Sequence, residues 1–130
     1  MGAQIRVLIA EDSEMMRKAI CKLLSDEPQI AVCGQASDYT ELLRIHDECD
    51  PDVVLMDLRM PGQDRVEAEH VREQLSHSCL LAMSFANDPE TKNLAKAYGA
   101  VKLLDKINLA STLLPAIEEC MRDNRKAQHA

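Results

Sequence analysis

Short, mostly apolar runs alternate with amphipathic segments along the whole chain, and this alternation is the strongest constraint on its fold. The runs are Ile5–Ala10, Ile30–Ala36, Asp52–Met56, Leu80–Met83 and Lys102–Asp105. Nearly unbroken runs of this kind are typical of parallel strands that are covered on both faces. The segments between them carry apolar residues at helical spacing. The sequence therefore predicts an α/β domain in which strand and helix alternate.

Helix start signals support this reading of the segments between the runs. Ser13 is the predicted N-cap of the first helix. Asp38 and Glu41 have the spacing of a capping box for the second helix. Asp88 and Pro89 predict the cap and the first residue of a later helix. These signals place helices where the strand pattern leaves room for them.

Reactive polar side chains come directly at the ends of four predicted strands. They are Glu11 and Asp12 after the first strand, Asp57 after the third, Ser84 after the fourth, and Lys106 after the fifth. The carboxyl ends of strands in an open parallel sheet face one crevice, so we expect these side chains to lie together. Three carboxylates, a hydroxyl and an ammonium suit a divalent cation and a phosphoryl group, with an aspartate as the acceptor.

Length, charge and hydropathy exclude several classes of protein. A chain of 130 residues corresponds to one domain. No apolar run approaches the roughly 20 residues of a membrane span, and no secretory signal is present, so we expect a cytoplasmic protein. The net charge is −7, with 22 acidic and 15 basic residues, which argues against nucleic-acid binding by this chain.

Neither the cysteines nor the histidines are expected to form a site. The cysteines are Cys21, Cys33, Cys49, Cys79 and Cys120. They are scattered, odd in number and without metal-ligand spacing, so the sequence predicts buried, reduced thiols. The histidines are His46, His70, His77 and His129. We expect them on the surface or in the C-terminal tail, with no catalytic or metal-binding role.

The strand-end motifs, taken in order, resemble the receiver domain of two-component response regulators. The matching stretches are Glu11-Asp12, Met56 to Gly62, Ser84 to Ala86, and Asp105-Lys106. Within this family, the chain most resembles receivers that precede a LuxR-type helix-turn-helix. It implies a flavodoxin-like, three-layer (βα)5 fold with a parallel sheet in the order 2-1-3-4-5. We assign residues 1–122 to the receiver and residues 123–130 to a tail or the start of a linker.

The resemblance implies a phosphorylation-controlled switch rather than an enzyme. Asp57 would accept a phosphoryl group from a histidine kinase or a phosphotransfer protein. Lys106 would pair with one phosphoryl oxygen, and Ser84 would donate its hydroxyl to another. Self-catalysed loss of the phosphoryl group should be slow, because Ala86 cannot orient an attacking water and Arg59 can shield the phosphorus. The change would be relayed to a partner or to an output domain, which binds DNA in LuxR-type regulators, and the receiver could also act as a homodimer.

The same resemblance implies a Mg²⁺ site. Its ligands would be Glu11, Asp12, Asp57 and the backbone carbonyl of Arg59, two residues after the acceptor. Two carboxylates about 4 Å apart repel each other by roughly 4 kcal/mol at an effective dielectric constant of 20. A third carboxylate raises this cost, so a bound cation is an expected part of the site.

Four positions depart from the family pattern. Ile107 follows the strand-five lysine where proline is usual, which predicts a trans peptide bond there. Leu103 stands where an aromatic residue is common. Arg65 replaces a glycine and would be strained if the turn needed a positive φ. Pro115 is tolerated if the last helix begins near Ser111, where first-turn N–H groups lack partners anyway.

Two other functions remain open at this point. One is a Mg²⁺-dependent phosphatase with an aspartyl nucleophile, but such enzymes commonly have a second Asp where this chain has Arg59. The other is a degenerate receiver that serves only as a protein-interaction module. Mg²⁺-dependent phosphorylation of the isolated chain distinguishes a working switch from such a module.

Overall fold

Strands and helices alternate along the chain as predicted. The computed structural model describes the backbone of residues 3–129 and the side chains of residues 3–123. The strands are β1 (Ile5–Ala10), β2 (Ile30–Ala36), β3 (Val53–Asp57), β4 (Cys79–Ser84) and β5 (Lys102–Asp105). The helices are α1 (Glu14–Ser25), α2 (Tyr39–Cys49), α3 (Ala68–Gln74), α4 (Pro89–Ala97) and α5 (Leu109–His129). Short 3₁₀ turns, Gln63–Arg65 and Lys106–Asn108, precede α3 and α5.

The five strands form one parallel sheet in the order β2-β1-β3-β4-β5. This is the flavodoxin-like topology that the resemblance to receiver domains implies. The register pairs Ala10 with Met56, and Ser84 with Asp105. Neighbouring strands therefore end at almost the same level, and the residues that follow them share one edge of the sheet.

Both faces of the sheet are covered, which explains why the strands are so apolar. Ile9 and Leu55 point toward the side covered by α1 and α5. Leu8 and Val54 point toward the side covered by α2, α3 and α4. All four side chains are fully buried. The alternation of side chains along each strand thus builds two cores, one on each face.

The predicted caps at Ser13 and Asp38 are confirmed, whereas Asp88 stands at the N-cap of α4 without a side-chain hydrogen bond to the helix backbone. The Met16 N–H donates to Ser13 Oγ over 3.2 Å, and the Glu41 N–H donates to Asp38 Oδ1 over 2.7 Å. Glu41 in turn accepts from the Ser37 N–H over 3.1 Å, one residue before the cap, so the box is closed slightly earlier than in the usual motif. Pro89 is the first residue of α4, as predicted.

The departures from the family pattern have different outcomes. The Lys106–Ile107 bond is trans, as expected. Arg65 causes no strain, because the positive φ in this turn, 87°, belongs to Gly62. The predicted start of the last helix near Ser111 is wrong. Helix α5 begins at Leu109, which places Pro115 inside the helix. The reason is the 3₁₀ turn after β5, which runs directly into α5.

The prediction of five reduced thiols is wrong for four of the cysteines. Disulfides join Cys33 of β2 to Cys49 of α2, and Cys79 of β4 to Cys120 of α5, with Cα–Cα distances of 6.0 Å in both. Cys21 on α1 is free. The partners lie 16 and 41 residues apart in sequence. Packing of a helix onto a strand brings them together, and cysteine spacing alone does not reveal such packing.

The prediction of a surface position for His46 is also wrong. Its side chain is buried and lies on the face of α2 that carries Leu42, at helical spacing. His46 Nε2 is 2.9 Å from Ser78 Oγ, and the Ser78 hydroxyl donates to the Pro51 carbonyl over 2.7 Å. The Nε2–H of the neutral ring therefore donates to Ser78. His70 and His77 are exposed as predicted, whereas the side chain of His129 lies outside the described residues.

Helix α5 continues past the predicted end of the receiver. It extends to His129, so the backbone of residues 123–129 is helical. Side chains from residue 124 onward lie outside the described residues. The domain boundary at residue 122 stays a prediction. Within the described part of the chain, no helix combines the length and apolar character that crossing a bilayer requires.

Candidate functional site

The structure brings the five predicted strand-end side chains into one pocket. The pocket is lined by Glu11, Asp12, Ser13, Asp57, Arg59, Ser84, Phe85, Ala86 and Lys106. It lies at the carboxyl ends of β1, β3, β4 and β5, where the matched strand lengths leave the loops side by side. This is the crevice where open α/β sheets bind ligands.

Asp57 lies at the centre of the pocket as the last residue of β3. Its side chain is almost completely buried. The Arg59 N–H donates to Asp57 Oδ1 over 3.1 Å, and Lys106 Nζ is 3.0 Å from Oδ2. One contact to each oxygen holds the carboxylate in a single orientation. The side chain of Arg59 itself is exposed.

Glu11 is fully buried and supplies the second carboxylate. Its Oε2 accepts from the Ser13 N–H over 3.0 Å. Its Oε1 is 2.6 Å from Lys106 Nζ, and apart from this ion pair it has no hydrogen-bond partner among the described residues. A buried carboxylate oxygen with so few partners is suited to bind a cation.

Asp12 completes an acidic trio and is the exposed member of it. One carboxylate oxygen each from Glu11, Asp12 and Asp57 lie within 4.8 Å of one another. Oxygen ligands of this kind suit a hard cation such as Mg²⁺, and the buried Oε1 of Glu11, whose one contact among the described residues is the Lys106 ion pair, adds to the fit. The residues present are thus compatible with the expected metal.

Lys106 balances part of this negative charge. Its side chain is only 7% exposed. Burial lowers the pKa of the ammonium, but the contacts with the Glu11 and Asp57 carboxylates outweigh burial, so the pKa lies above the ordinary lysine value. The ammonium therefore stays charged at neutral pH. Its Nζ also lies 5.2 Å from the centre of the exposed Phe85 ring.

Ser84 ends β4 beside the trio and is almost completely buried. Its Oγ accepts from the Ala86 N–H over 3.0 Å. Among the described residues its hydroxyl proton makes no hydrogen bond, so the proton is available to a ligand in the pocket. The pocket thus combines an acidic trio, a fixed ammonium and a free hydroxyl donor.

Comparison with known proteins identifies the family. A family model described as "Response regulator receiver domain" matches residues 7–118. The chain belongs to this receiver family. The prediction made from the strand-end motifs is confirmed.

Curated relatives of this receiver are longer proteins. The transcriptional regulatory protein LiaR of Bacillus subtilis is 36% identical over 126 residues, which are 95% of this chain and 59% of that protein. A protein-glutamate methylesterase/protein-glutamine glutaminase of Pyrococcus abyssi is 32% identical over 107 residues, which are 81% of this chain and 29% of that enzyme. The receiver thus spans less than two thirds of either relative.

Solved structures support the fold and the similarity to receivers of LuxR-type regulators. A two-component response regulator of the LuxR family from Aurantimonas superposes with a TM-score of 0.82 at 25% identity, covering 93% of this chain and 87% of that one. The response regulator domain of CheB from Thermotoga maritima superposes with a TM-score of 0.79 at 25% identity, covering 92% and 97%.

Sequence analysis missed Tyr39, which lies directly beneath the acceptor. Its side chain is fully buried, and its hydroxyl donates to the Leu58 carbonyl over 3.2 Å and lies 3.4 Å from the Asp57 carbonyl. Burial first, and then the neighbouring Tyr98 hydroxyl, raise the pKa of Tyr39, so it remains protonated as a donor. Its position at the start of α2, three residues before the apolar Leu42, was the signal available in the sequence.

Proposed function

We propose that this receiver is a phosphorylation-controlled signalling switch in which Asp57 accepts the phosphoryl group. The observation that supports this most strongly is the placement of Asp57. Its carboxylate faces the pocket, with one oxygen held by the Arg59 N–H and the other by Lys106. Glu11 and Asp12 lie beside it. A buried carboxylate in such surroundings has the geometry of a nucleophile prepared for an anionic electrophile.

The reaction transfers a phosphoryl group to a carboxylate oxygen. An Asp57 oxygen forms a bond to phosphorus while the bond from phosphorus to the donor breaks, and the electron pair leaves with the donor's imidazole nitrogen or, for acetyl phosphate, with acetate. When bound by Glu11, Asp12, Asp57 and the Arg59 carbonyl, Mg²⁺ would neutralise negative charge on the incoming group.

Lys106 and Ser84 supply the remaining contacts to the phosphoryl oxygens. The Lys106 ammonium, 3.0 Å from Asp57 Oδ2, needs to move little to pair with an oxygen attached there. The Ser84 hydroxyl proton is free to donate to a second oxygen. Ala86, which lines the pocket, has no polar group to position an attacking water, so the aspartyl phosphate should hydrolyse slowly.

The surface around the pocket supports a macromolecular phosphodonor. Three large exposed apolar side chains lie in the pocket lining or close to it along the chain: Met15, two residues after Ser13; Phe85, which lines the pocket; and Ile107, directly after Lys106. Their exposed fractions are 83%, 68% and 75%. They lie on the β1–α1, β4–α4 and β5–α5 sides of the site. Exposed apolar groups around a polar centre are typical of interaction surfaces. A histidine kinase or phosphotransfer protein is the proposed donor, in the cytoplasm.

We propose that this receiver controls the same kind of output as its LuxR-type relatives. The LiaR relative is a transcriptional regulatory protein, and the matched receiver accounts for 59% of it. We propose that the phosphorylated form of this receiver controls a partner or a DNA-binding output domain, with homodimer formation as one route. The receiver's own charge of −7 makes direct contact with nucleic acid unfavourable.

Incubation with acetyl phosphate and Mg²⁺, followed by intact-mass measurement, tests the proposed function. The parent should gain the mass of one phosphoryl group, and this gain should disappear with a chelator. Asp57→Asn should gain none, because the amide is not a carboxylate nucleophile. Asp64→Asn, an exposed acid outside the pocket, is the matched control and should react like the parent. An unmodified parent would favour the interaction-module alternative.

A further inference from the structure

Tyr39 joins the start of α2 to the loop that carries the phosphoacceptor. Its ring is stacked on Tyr98 at the end of α4, with centroids 5.5 Å apart and an interplanar angle of 17°. The stack fixes the ring from one side, and the apolar core beneath the sheet face fixes it from the other. The hydroxyl therefore points in a defined direction, and that direction is toward the backbone after β3.

Tyr39 holds both ends of the acceptor loop, by which we mean the segment from Asp57 to Pro61. The Tyr39 hydroxyl donates to the Leu58 carbonyl over 3.2 Å and lies 3.4 Å from the Asp57 carbonyl. The Tyr39 backbone N–H donates to the Pro61 carbonyl over 3.2 Å. The segment from Asp57 to Pro61 is thus anchored at its beginning and at its end by the same tyrosine.

The anchored segment carries the groups on which the proposed chemistry depends. It contains the Asp57 carboxylate, the Arg59 N–H that fixes one of its oxygens, and the Arg59 carbonyl expected to bind Mg²⁺. Leu58 and Met60 in this segment are buried in the same core cluster as Tyr39. The Leu58 carbonyl and the Arg59 N–H belong to the same planar peptide group. A shift of the carbonyl would therefore also move the N–H that donates to Asp57 Oδ1.

We propose that the Tyr39 hydroxyl is a positioning group for metal binding and phosphoryl transfer, a role that rests on the proposed function of Asp57. By holding the Leu58 carbonyl, it keeps the Asp57 carboxylate and the Arg59 backbone in the arrangement that binds Mg²⁺. Tyr39 is not among the residues that line the pocket, so it would act through the backbone of the acceptor loop and not by direct contact with the metal or the phosphoryl group. Its contribution is therefore expected in the affinity for Mg²⁺ and in the rate of phosphorylation.

Removal of the hydroxyl with the ring kept in place tests this role. Tyr39→Phe deletes only the donor and retains the stack. Tyr98→Phe, the matched control, deletes the hydroxyl of the neighbouring ring and leaves in place both contacts of the Tyr39 hydroxyl with the acceptor loop. Mg²⁺ dissociation constants would be measured by calorimetry, and phosphorylation by acetyl phosphate would be followed by intact mass at limiting and saturating Mg²⁺.

The expected result is a selective effect of Tyr39→Phe. A lost hydrogen bond corresponds to a roughly two- to tenfold change, so the Mg²⁺ dissociation constant should rise by about that factor. The rate at limiting Mg²⁺ should fall to match, and saturating Mg²⁺ should recover much of it. Tyr98→Phe should stay within about twofold of the parent on both measurements, since no acceptor-loop bond is lost.

Other results would overturn the proposal in distinguishable ways. A Tyr39→Phe protein with a lower melting temperature but parental Mg²⁺ affinity and rate would show a purely structural hydroxyl. A variant that does not fold would lead to the same conclusion. A parent that neither binds Mg²⁺ nor accepts a phosphoryl group would remove the proposed function itself, and the positioning role with it.

Discussion

Lys106 is the residue that makes the acidic pocket stable without a metal ion. It is nearly buried between Glu11 and Asp57, and each carboxylate lies within 3.0 Å of its ammonium. Removing one member of a buried ionic cluster leaves the others unpaired, which typically costs more than the intact pair contributes. A surface ion pair, such as that of Lys102 with Glu119, has no such consequence because water replaces the lost partner.

We predict that Lys106→Met lowers the free energy of unfolding by about 3 kcal/mol in the absence of metal. Mg²⁺ should recover more stability in this variant than in the parent, because it replaces the missing positive charge. Lys102→Met is the control and should cost less than about 1 kcal/mol. Urea unfolding with and without Mg²⁺ measures both. Equal losses in the two variants would show that the Lys106 pairs are worth no more than a surface pair.

The pKa of Lys106 gives this effect a pH dependence. A lysine whose pKa is raised in the folded state stabilises the fold fully below its unfolded pKa of about 10.4. That contribution is lost as the pH rises through the higher folded value. The stability difference between the parent and Lys106→Met should therefore be constant near neutral pH and should shrink only in strongly alkaline solution.

His46 should make the fold sensitive to mild acid. Burial lowers its pKa, opposed by the nearby Asp47 and Asp50 carboxylates, and the net shift is downward. The unfolded chain then binds the proton first, so stability is complete above about pH 6.5 and is lost as the pH falls through the folded value. We predict that His46→Gln weakens the pH dependence between about pH 7 and about pH 5.

Urea unfolding at several pH values measures this dependence. His70→Gln, which changes an exposed histidine, is the control and should keep the parental slope. A His46→Gln protein with the same slope as the parent would mean that other groups cause the acid sensitivity.

At the level of elements, most helices could be predicted because their signals are local. The caps at Ser13 and Asp38 need only neighbouring residues to form, and both appear in the structure. The start of α5 could not be predicted in this way. It depends on the 3₁₀ turn in which the Asp105 carboxylate accepts from the Ile107 N–H over 2.9 Å. That turn continues into the helix and leaves Pro115 in its interior.

An interior proline should make α5 less stable than it could be. Pro115 has no N–H to donate to the Ser111 carbonyl, and its side chain is exposed, so no packing compensates for this. We predict that Pro115→Ala raises the free energy of unfolding by about 1–3 kcal/mol. Glu118→Ala, at another exposed position of α5, should change it by less than about 0.5 kcal/mol. Chemical denaturation measures both, and an unchanged or lower value for Pro115→Ala would contradict the expected strain.

At the level of the whole molecule, the sheet order and register assemble the site. The five strand-end side chains could be predicted because parallel strands place their carboxyl ends at one edge, whatever the details of the helices. Contacts that depend on how a helix lies on the sheet could not. The contact of Tyr39 with Leu58, the burial of His46 and the pairing of Cys79 with Cys120 all belong to this second class.

The two disulfides provide a test of the helix packing. We predict that alkylation of the denatured, unreduced protein labels a single thiol, Cys21, and that reduction first exposes all five cysteines. Reduction should also lower stability, by about 2–4 kcal/mol for each crosslink. Mass spectrometry counts the labels. Five labels without reduction would show that the paired thiols are reduced in solution, which is the usual state in a cytosol.

Locating the phosphoryl group on the chain tests directly whether Asp57 is the acceptor. Borohydride reduces an aspartyl phosphate to homoserine, and peptide mass mapping then identifies the modified position. After treatment with acetyl phosphate and Mg²⁺, we expect homoserine at position 57, between Met56 and Leu58, and none in Asp57→Asn. Homoserine at Asp12 or at any other aspartate, with position 57 unchanged, would contradict it.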